Sequence, residues 1–175
     1  IGEPRIKPPF PAQQGLFGAP TLINNVETFA HIPYVVKNGA QMYRRLGMED
    51  SPGTKVFTVS GDVQNPGIFE VELGITLRQL IETHCAGVRS GHRFKGALIG
   101  GAAGSLVSEA LLDVPLGYQS LKSQGAILGS GAVIVFDETR DLAVPLQSVM
   151  EFFRHESCGK CIPCREGTRR MLEIL

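Results

Sequence analysis

Residues 55–73 read KVFTVSGDVQNPGIFEVEL, and this stretch decides the fold. Apolar and polar side chains alternate through KVFTVSGDV, the turn formers Gln64-Asn65-Pro66-Gly67 interrupt, and IFEVEL resumes the alternation. That is the pattern of a β-hairpin. Thr76 then stands where its hydroxyl can accept free amides at a helix start, and TLRQLIETH sets Leu77, Leu80 and Ile81 on one face that can cover the hairpin. Two later apolar runs, FKGALIGG from Phe94 and AILGSGAVIVF from Ala126, predict strands separated by a Gly-rich loop and the connection LDVPLGYQSL. Hairpin, helix and returning strands predict an α+β fold of the β-grasp type.

Outward from this core the periodicity changes. Upstream, the prolines of IGEPRIKPPFPAQQGLFGAP (residues 1–20) remove backbone donors and fix φ, which predicts an irregular extended segment. Asn24 is the predicted cap of a helix carrying Val26, Phe29, Ile32 and Val36 on one stripe, with Glu27 three residues on, Pro33 a kink, and Asn38-Gly39 a stop. Gln41–Leu46 reads as a further short turn before the Ser51-Pro52-Gly53 linker. Downstream, helical patterns over Leu146–Arg154 and Glu166–Leu175 bracket three cysteines.

Composition excludes several classes of function. With 17 Lys+Arg against 17 Asp+Glu there is no electrostatic footprint for nucleic acid, and no apolar run approaches the ~20 residues that cross a bilayer. No secretory signal follows Ile1, and the chain reads as a piece of a longer polypeptide. Three of the four cysteines cluster at Cys158, Cys161 and Cys164, with Cys85 far away, which suits a reducing compartment and a metal site better than a disulfide framework.

The chemistry concentrates in HESCGKCIPCREGT, residues 155–168. Gly159 and Pro163 keep the backbone from continuing as a regular helix, so the sulfurs of C-x2-C-x2-C can converge. A cubane iron–sulfur cluster takes four thiolates, closely spaced ones completed by a ligand from elsewhere. Position 168, where a ferredoxin-type run has its next Cys, is Thr168. Zinc held by the thiolates and His155 is the competing reading, and inert thiols the third. Arg154, Lys160 and Arg165 are either solvated charges or donors that offset cluster charge. Cys85 reads as a small buried hydrophobe. Gly100–Gly104 lacks the spacing of a dinucleotide fingerprint and reads as a turn. Asn24 and Asn25 are helix caps that could also face a phosphate.

Two elements, EPRIKPPFPAQQGLFGAPTLINNVET (residues 3–28) and HESCGKCIPCREGT, make the chain resemble, over essentially its whole length, the NADH-binding flavoprotein subunit of respiratory complex I. The resemblance extends to the diaphorase subunits of NAD-dependent hydrogenases and formate dehydrogenases. It implies a three-part organisation: residues 1–50 as the C-terminal part of an FMN/NADH-binding domain, 53–137 as a ubiquitin-like β-grasp (SLBB) domain, and 142–175 as the start of a helical 4Fe-4S domain. It implies that Ile23, Asn24, Asn25 and Thr28 of the segment around NNVET hold FMN, and that Phe10 of PPFPA stacks near the adenine of NADH. It gives Cys158, Cys161 and Cys164 to a 4Fe-4S cluster whose fourth ligand in the family is a downstream Cys. The implied parent is an NADH dehydrogenase-type oxidoreductase that passes electrons to partner iron–sulfur subunits. Such a parent is cytoplasmic and peripheral to a membrane through those partners. The chain stops at Leu175 and lacks the family's upstream Gly-rich loop, so the polypeptide alone is expected to be inactive. The family's GGPSGG loop is GGAAGS from Gly100 here; the alternative to the electron-transfer reading is an interaction module, zinc-stabilised or binding a soluble ligand or partner through the β-grasp domain at 53–137.

Overall fold

The computed structural model describes residues 3–175, which divide into two compact units: Asn25–Arg140, and the described residues up to Asn24 together with Asp141–Leu175. The prediction for residues 1 and 2 lies outside the described residues.

The first unit is built on the hairpin. Strands β1 (Gly47–Met48) and β2 (Ser51–Pro52) form a small antiparallel ribbon. Strands β3 (Thr54–Gly61) and β4 (Gly67–Glu72) are the predicted hairpin, with Thr54 opposite Glu72 and Phe57 opposite Phe69. Strands β5 (Phe94–Ile99), β6 (Ser105–Val107) and β7 (Ala132–Asp137) complete a five-stranded sheet in the order β4-β3-β7-β5-β6. β3 and β7 lie parallel at its centre, Thr58 opposite Ala132, and β5 runs antiparallel to β7. First and last strands parallel at the centre, with a hairpin on each outer side, is the β-grasp topology expected from the sequence.

The covering helix is as predicted at its start. Thr76 and Gln79 form a reciprocal capping box for α3 (Leu77–Gln79), which continues as a π-turn through Leu80–His84. Leu77 and Leu80 are fully buried against Phe57, Val59, Ile99, Val133 and Val135, so the alternating strands and the helix face share one core. Burying each such side chain contributes about 1.5–3 kcal/mol. Cys85 closes the same core at 0 % exposure, and burial pushes its thiol up, as expected of a small hydrophobe.

Several details differ from the sequence reading. The last strand begins at Ala132 rather than Ala126, because Gly129 and Gly131 have φ of +52° and +82° and cannot be extended. β6 spans three residues, too few to leave an alternating signature. Gly100–Gly104 is a turn, as predicted, joining β5 to β6, and a side chain on Gly104 would collide with the Ile99 carbonyl. Short helix α4 (Tyr118–Ser123) occupies the connection before β7.

Helix α1 (Val26–Asn38) is capped by Asn25, not Asn24. Asn25 takes the extended backbone a cap needs, and its Oδ1 accepts the Glu27 amide at 2.8 Å. The helix runs on through Pro33 where the sequence predicts a kink, and Gly39, at φ +85°, ends it. α2 (Ala40–Tyr43) follows. In the second unit, residues up to Asn24 are irregular apart from turns and one 3-10 turn at Leu16–Gly18. Helices α5 (Ala143–Glu156) and α6 (Ile162–Ile174) pack together and flank the cysteine loop; α5 extends past the predicted 146–154 at both ends, and α6 starts four residues before the predicted 166–175 and ends one residue short of it. No described helix is long and apolar enough to cross a membrane.

Candidate functional site

The cysteine loop is built by two helix ends. α5 stops at Glu156, Gly159 reverses the chain at φ +73°, and α6 begins with Cys161 as its N-cap residue. Cys158 therefore lies on the loop, Cys161 at the helix start, and Cys164 inside the first turn of α6, not on the loop. All three thiols are free and exposed. Pro163 sits in the first turn, where a missing N–H costs nothing. The free amides and positive dipole end of α6 point toward the loop, a setting that favours anionic sulfur.

Local hydrogen bonds hold the loop open. The Arg165 guanidinium donates to the Gly159 carbonyl at 2.8 Å, the Gly159 amide donates to Ser157 Oγ at 3.2 Å, and Ser157 Oγ lies 3.3 Å from Cys164 Sγ. The Thr168 hydroxyl donates to the Cys164 carbonyl, so Thr168 stabilises the helix rather than reaching toward the sulfurs. His155 Nδ1 is engaged with Glu156 at 3.0 Å.

Sulfur spacing bears on the metal. Thiolates on one tetrahedral zinc, with Zn–S bonds of about 2.3 Å, stand ~3.8 Å apart. Among the described residues, no trio drawn from His155, Cys158, Cys161 and Cys164 gathers its ligand atoms within 4.8 Å. In a cubane each thiolate binds a different iron corner, and the soft sulfur donors, their exposure and the neighbouring α6 amides fit a 4Fe-4S cluster. The triplet supplies three thiolates. Cys85, sealed in the sheet core, is unavailable as a fourth.

The residues assigned to FMN and NADH are distributed along the chain. Phe10 is 58 % exposed, with the Lys7 ammonium 4.0 Å over its ring. Ile23 and Asn24 are exposed and belong to the same unit as the cysteine loop. Asn25 and Thr28 are on the first turn of α1, in the sheet unit, both exposed. Thr28 lines a cleft of about 400 Å³ together with His31, Tyr43, Lys55, Leu73 and Tyr118.

The sequence did not reveal what fixes that first turn. Glu27 Oε2 accepts from Lys55 Nζ at 2.9 Å, and Glu27 Oε1 accepts the Val56 amide at 2.9 Å. Lys55 is almost wholly buried, on the same side of β3 as Phe57 and Val59. Burial works to raise the Glu27 carboxyl, but the hydrogen bonds from Lys55 and Val56 and the Lys55 charge outweigh it and hold the group below the usual carboxylate range. Burial, then the Glu27 charge, pushes the Tyr43 phenol up, keeping it a donor. The readable signal was a lysine sharing the strand parity of two core residues: such a lysine needs an acid.

Comparison with known proteins agrees with the resemblance seen in the sequence. Residues 145–175 match the NADH-ubiquinone oxidoreductase-F iron-sulfur binding region, and residues 56–102 match the SLBB domain. The F subunit of the NADH-quinone oxidoreductase of Mycobacterium bovis is 48 % identical over 167 residues, 95 % of this chain and 37 % of that protein. The HndC subunit of the NADP-reducing hydrogenase of Solidesulfovibrio fructosivorans is 44 % identical over 174 residues, 99 % of this chain and 36 % of that protein. A crystal structure of an NAD+-reducing NiFe hydrogenase in the air-oxidized state superposes with a TM-score of 0.81 at 39 % identity, covering 98 % of this chain and 29 % of that one. Two segments of the chain thus match an SLBB domain and an iron–sulfur binding region, and the chain spans well under half the length of these relatives.

Proposed function

We propose that this chain is part of an NADH-oxidising electron-transfer subunit, in which electrons pass from NADH through FMN to a 4Fe-4S cluster and on to partner iron–sulfur subunits. The observation that carries the reading is the exposed Cys158, Cys161, Cys164 set at the start of α6, in a segment matching an iron-sulfur binding region. When bound, the flavin accepts hydride from NADH and the cluster carries electrons singly.

The chain's own residues bind and orient. Cys158, Cys161 and Cys164 are three of the four cluster ligands, and the α6 amides with Arg165 offset their negative charge. Ile23, Asn24, Asn25 and Thr28 contact FMN, with Glu27 fixing the first turn of α1 by its bonds to Lys55 and Val56. Phe10 offers an aromatic face to the nucleotide. We assign residues 1–50 to the end of the flavin domain, 53–137 to the SLBB domain and 142–175 to the beginning of the iron–sulfur domain. The protein containing this chain is cytoplasmic and meets a membrane through its partners.

Anaerobic isolation of the protein containing this chain tests the reading. Flavin absorbance and an electron paramagnetic resonance signal from a reduced cluster are expected, and a colourless, flavin-free protein ends it. Stoichiometric zinc without iron would instead identify a zinc-stabilised interaction module.

A further inference from the structure

We propose that His92, Asp137 and Glu138 form a second metal site, for a divalent cation of the zinc type, which ties the loop before β5 to the end of β7. The pairing of β5 with β7 creates the juxtaposition: Phe94 stands opposite Asp137, so His92 comes beside Asp137 and Glu138. Three ligand atoms, one from each side chain, lie within 4.8 Å of one another, the one such group among the described residues.

The separations favour a shared ion over direct bonding. His92 Nδ1 is 3.5 Å from Glu138 Oε1 and 3.8 Å from Asp137 Oδ2. Ligands bound to one zinc at about 2.0–2.1 Å in tetrahedral geometry stand ~3.3–3.6 Å apart. His92 Nδ1 is buried and has no hydrogen-bond partner, although an imidazole nitrogen out of water normally finds one. A cation at the midpoint would satisfy it.

The surroundings supply the remaining parts of a metal site. The Arg93 amide donates to Glu138 Oε2 at 2.5 Å, leaving Oε1 to face His92. The Thr139 amide and hydroxyl hold Asp137 Oδ1 and so orient that carboxylate, while Arg89 donates at 2.6 Å to Oδ2, the oxygen facing His92, which a bound cation would have to share with the guanidinium. Asp62, Asp137 and Glu138 face only two guanidiniums in this network, those of Arg89 and Arg140, leaving one negative charge uncompensated. All three carboxyls are held below their usual range: Asp62 first by Arg140, Asp137 by Thr139, Glu138 by the Arg93 amide. His92 and Arg93 also line a surface cleft, which leaves the imidazole partly open to solvent. One imidazole and two carboxylate oxygens, with water completing the shell, suit zinc or a similar first-row ion.

The test uses the full chain carrying Cys158→Ser, Cys161→Ser and Cys164→Ser, so that sulfur cannot take the metal. After dialysis against zinc, elemental analysis should find about one zinc per chain, and zinc should raise Tm. His92→Gln and, separately, Glu138→Gln should each weaken zinc binding by about tenfold or more while far-UV circular dichroism stays that of the parent. Failure of the thiol-free chain to hold stoichiometric zinc overturns the proposal, as does undiminished affinity in both variants; a proton shared between His92 and the carboxylates would give that first result. Neither outcome bears on the iron–sulfur reading, whose ligands are absent from this background.

Discussion

Replacing Glu27 by Gln should destabilise the sheet unit by about 2–3 kcal/mol, because it leaves the buried Lys55 ammonium without its counter-charge. The magnitude follows from burial. Breaking a fully buried ion pair costs about 3–5 kcal/mol; here Lys55 is 5 % exposed but Glu27 is 30 % exposed, so water screens part of the interaction and the figure falls. The Val56 amide keeps an acceptor in the amide side chain. Lys55→Met should cost less, since it removes the buried charge itself, and the double variant Glu27→Gln with Lys55→Met should recover to within about 1 kcal/mol of the parent. Urea unfolding followed by far-UV circular dichroism on the four proteins gives the coupling energy. The pH dependence adds an independent check with a definite sign. A carboxyl held low in the folded protein contributes stability that is fully present above its unfolded pKa of about 4.3 and is lost as pH falls through the folded value. Glu27→Gln should therefore flatten the acid limb of the stability profile. Strictly additive single variants, or a Glu27→Gln protein as stable as the parent, would refute the argument.

Other expectations follow from single contacts. Asn25→Ala removes the acceptor for the Glu27 amide and should cost about 1 kcal/mol of stability, together with weaker flavin retention in the protein containing this chain. Gly159→Ala forces a side chain into a left-handed turn at about 1–2 kcal/mol, and should lower iron content while leaving the melting of the sheet unit unchanged. Leu80→Ala, at a fully buried site between helix and sheet, should cost about 2–5 kcal/mol in urea titrations, with cluster content at the loop unaffected in folded protein.

The fold was legible where a local rule and a buried face coincided. KVFTV and IFEVEL alternate because one side of each strand enters the core, and Thr76 with Gln79 announces a helix start, so hairpin and covering helix could be read directly. β6 escaped because three residues carry no period. The true start of β7 escaped because AILGSG is apolar enough to imitate a strand while its glycines adopt positive φ. For the site, the cysteine spacing was enough to nominate a metal, since few other roles ask for three thiols at three-residue intervals. The Glu27–Lys55 pair and the His92–Asp137–Glu138 group were not visible, because each joins positions at least 28 residues apart, the first by setting the start of α1 against β3 and the second by pairing β5 with β7. Asn24 and Asn25 are chemically equal as caps; only the backbone turn distinguishes them, and it selected Asn25.

Iron and acid-labile sulfide analysis of the anaerobically purified protein containing this chain, paired with spectra of the dithionite-reduced sample, tests the central assignment most directly. The account predicts about four iron and four sulfide per chain, with the paramagnetic signal abolished by Cys161→Ser. Zinc without sulfide, or a cluster that survives loss of the Cys158, Cys161 and Cys164 thiols, would contradict it.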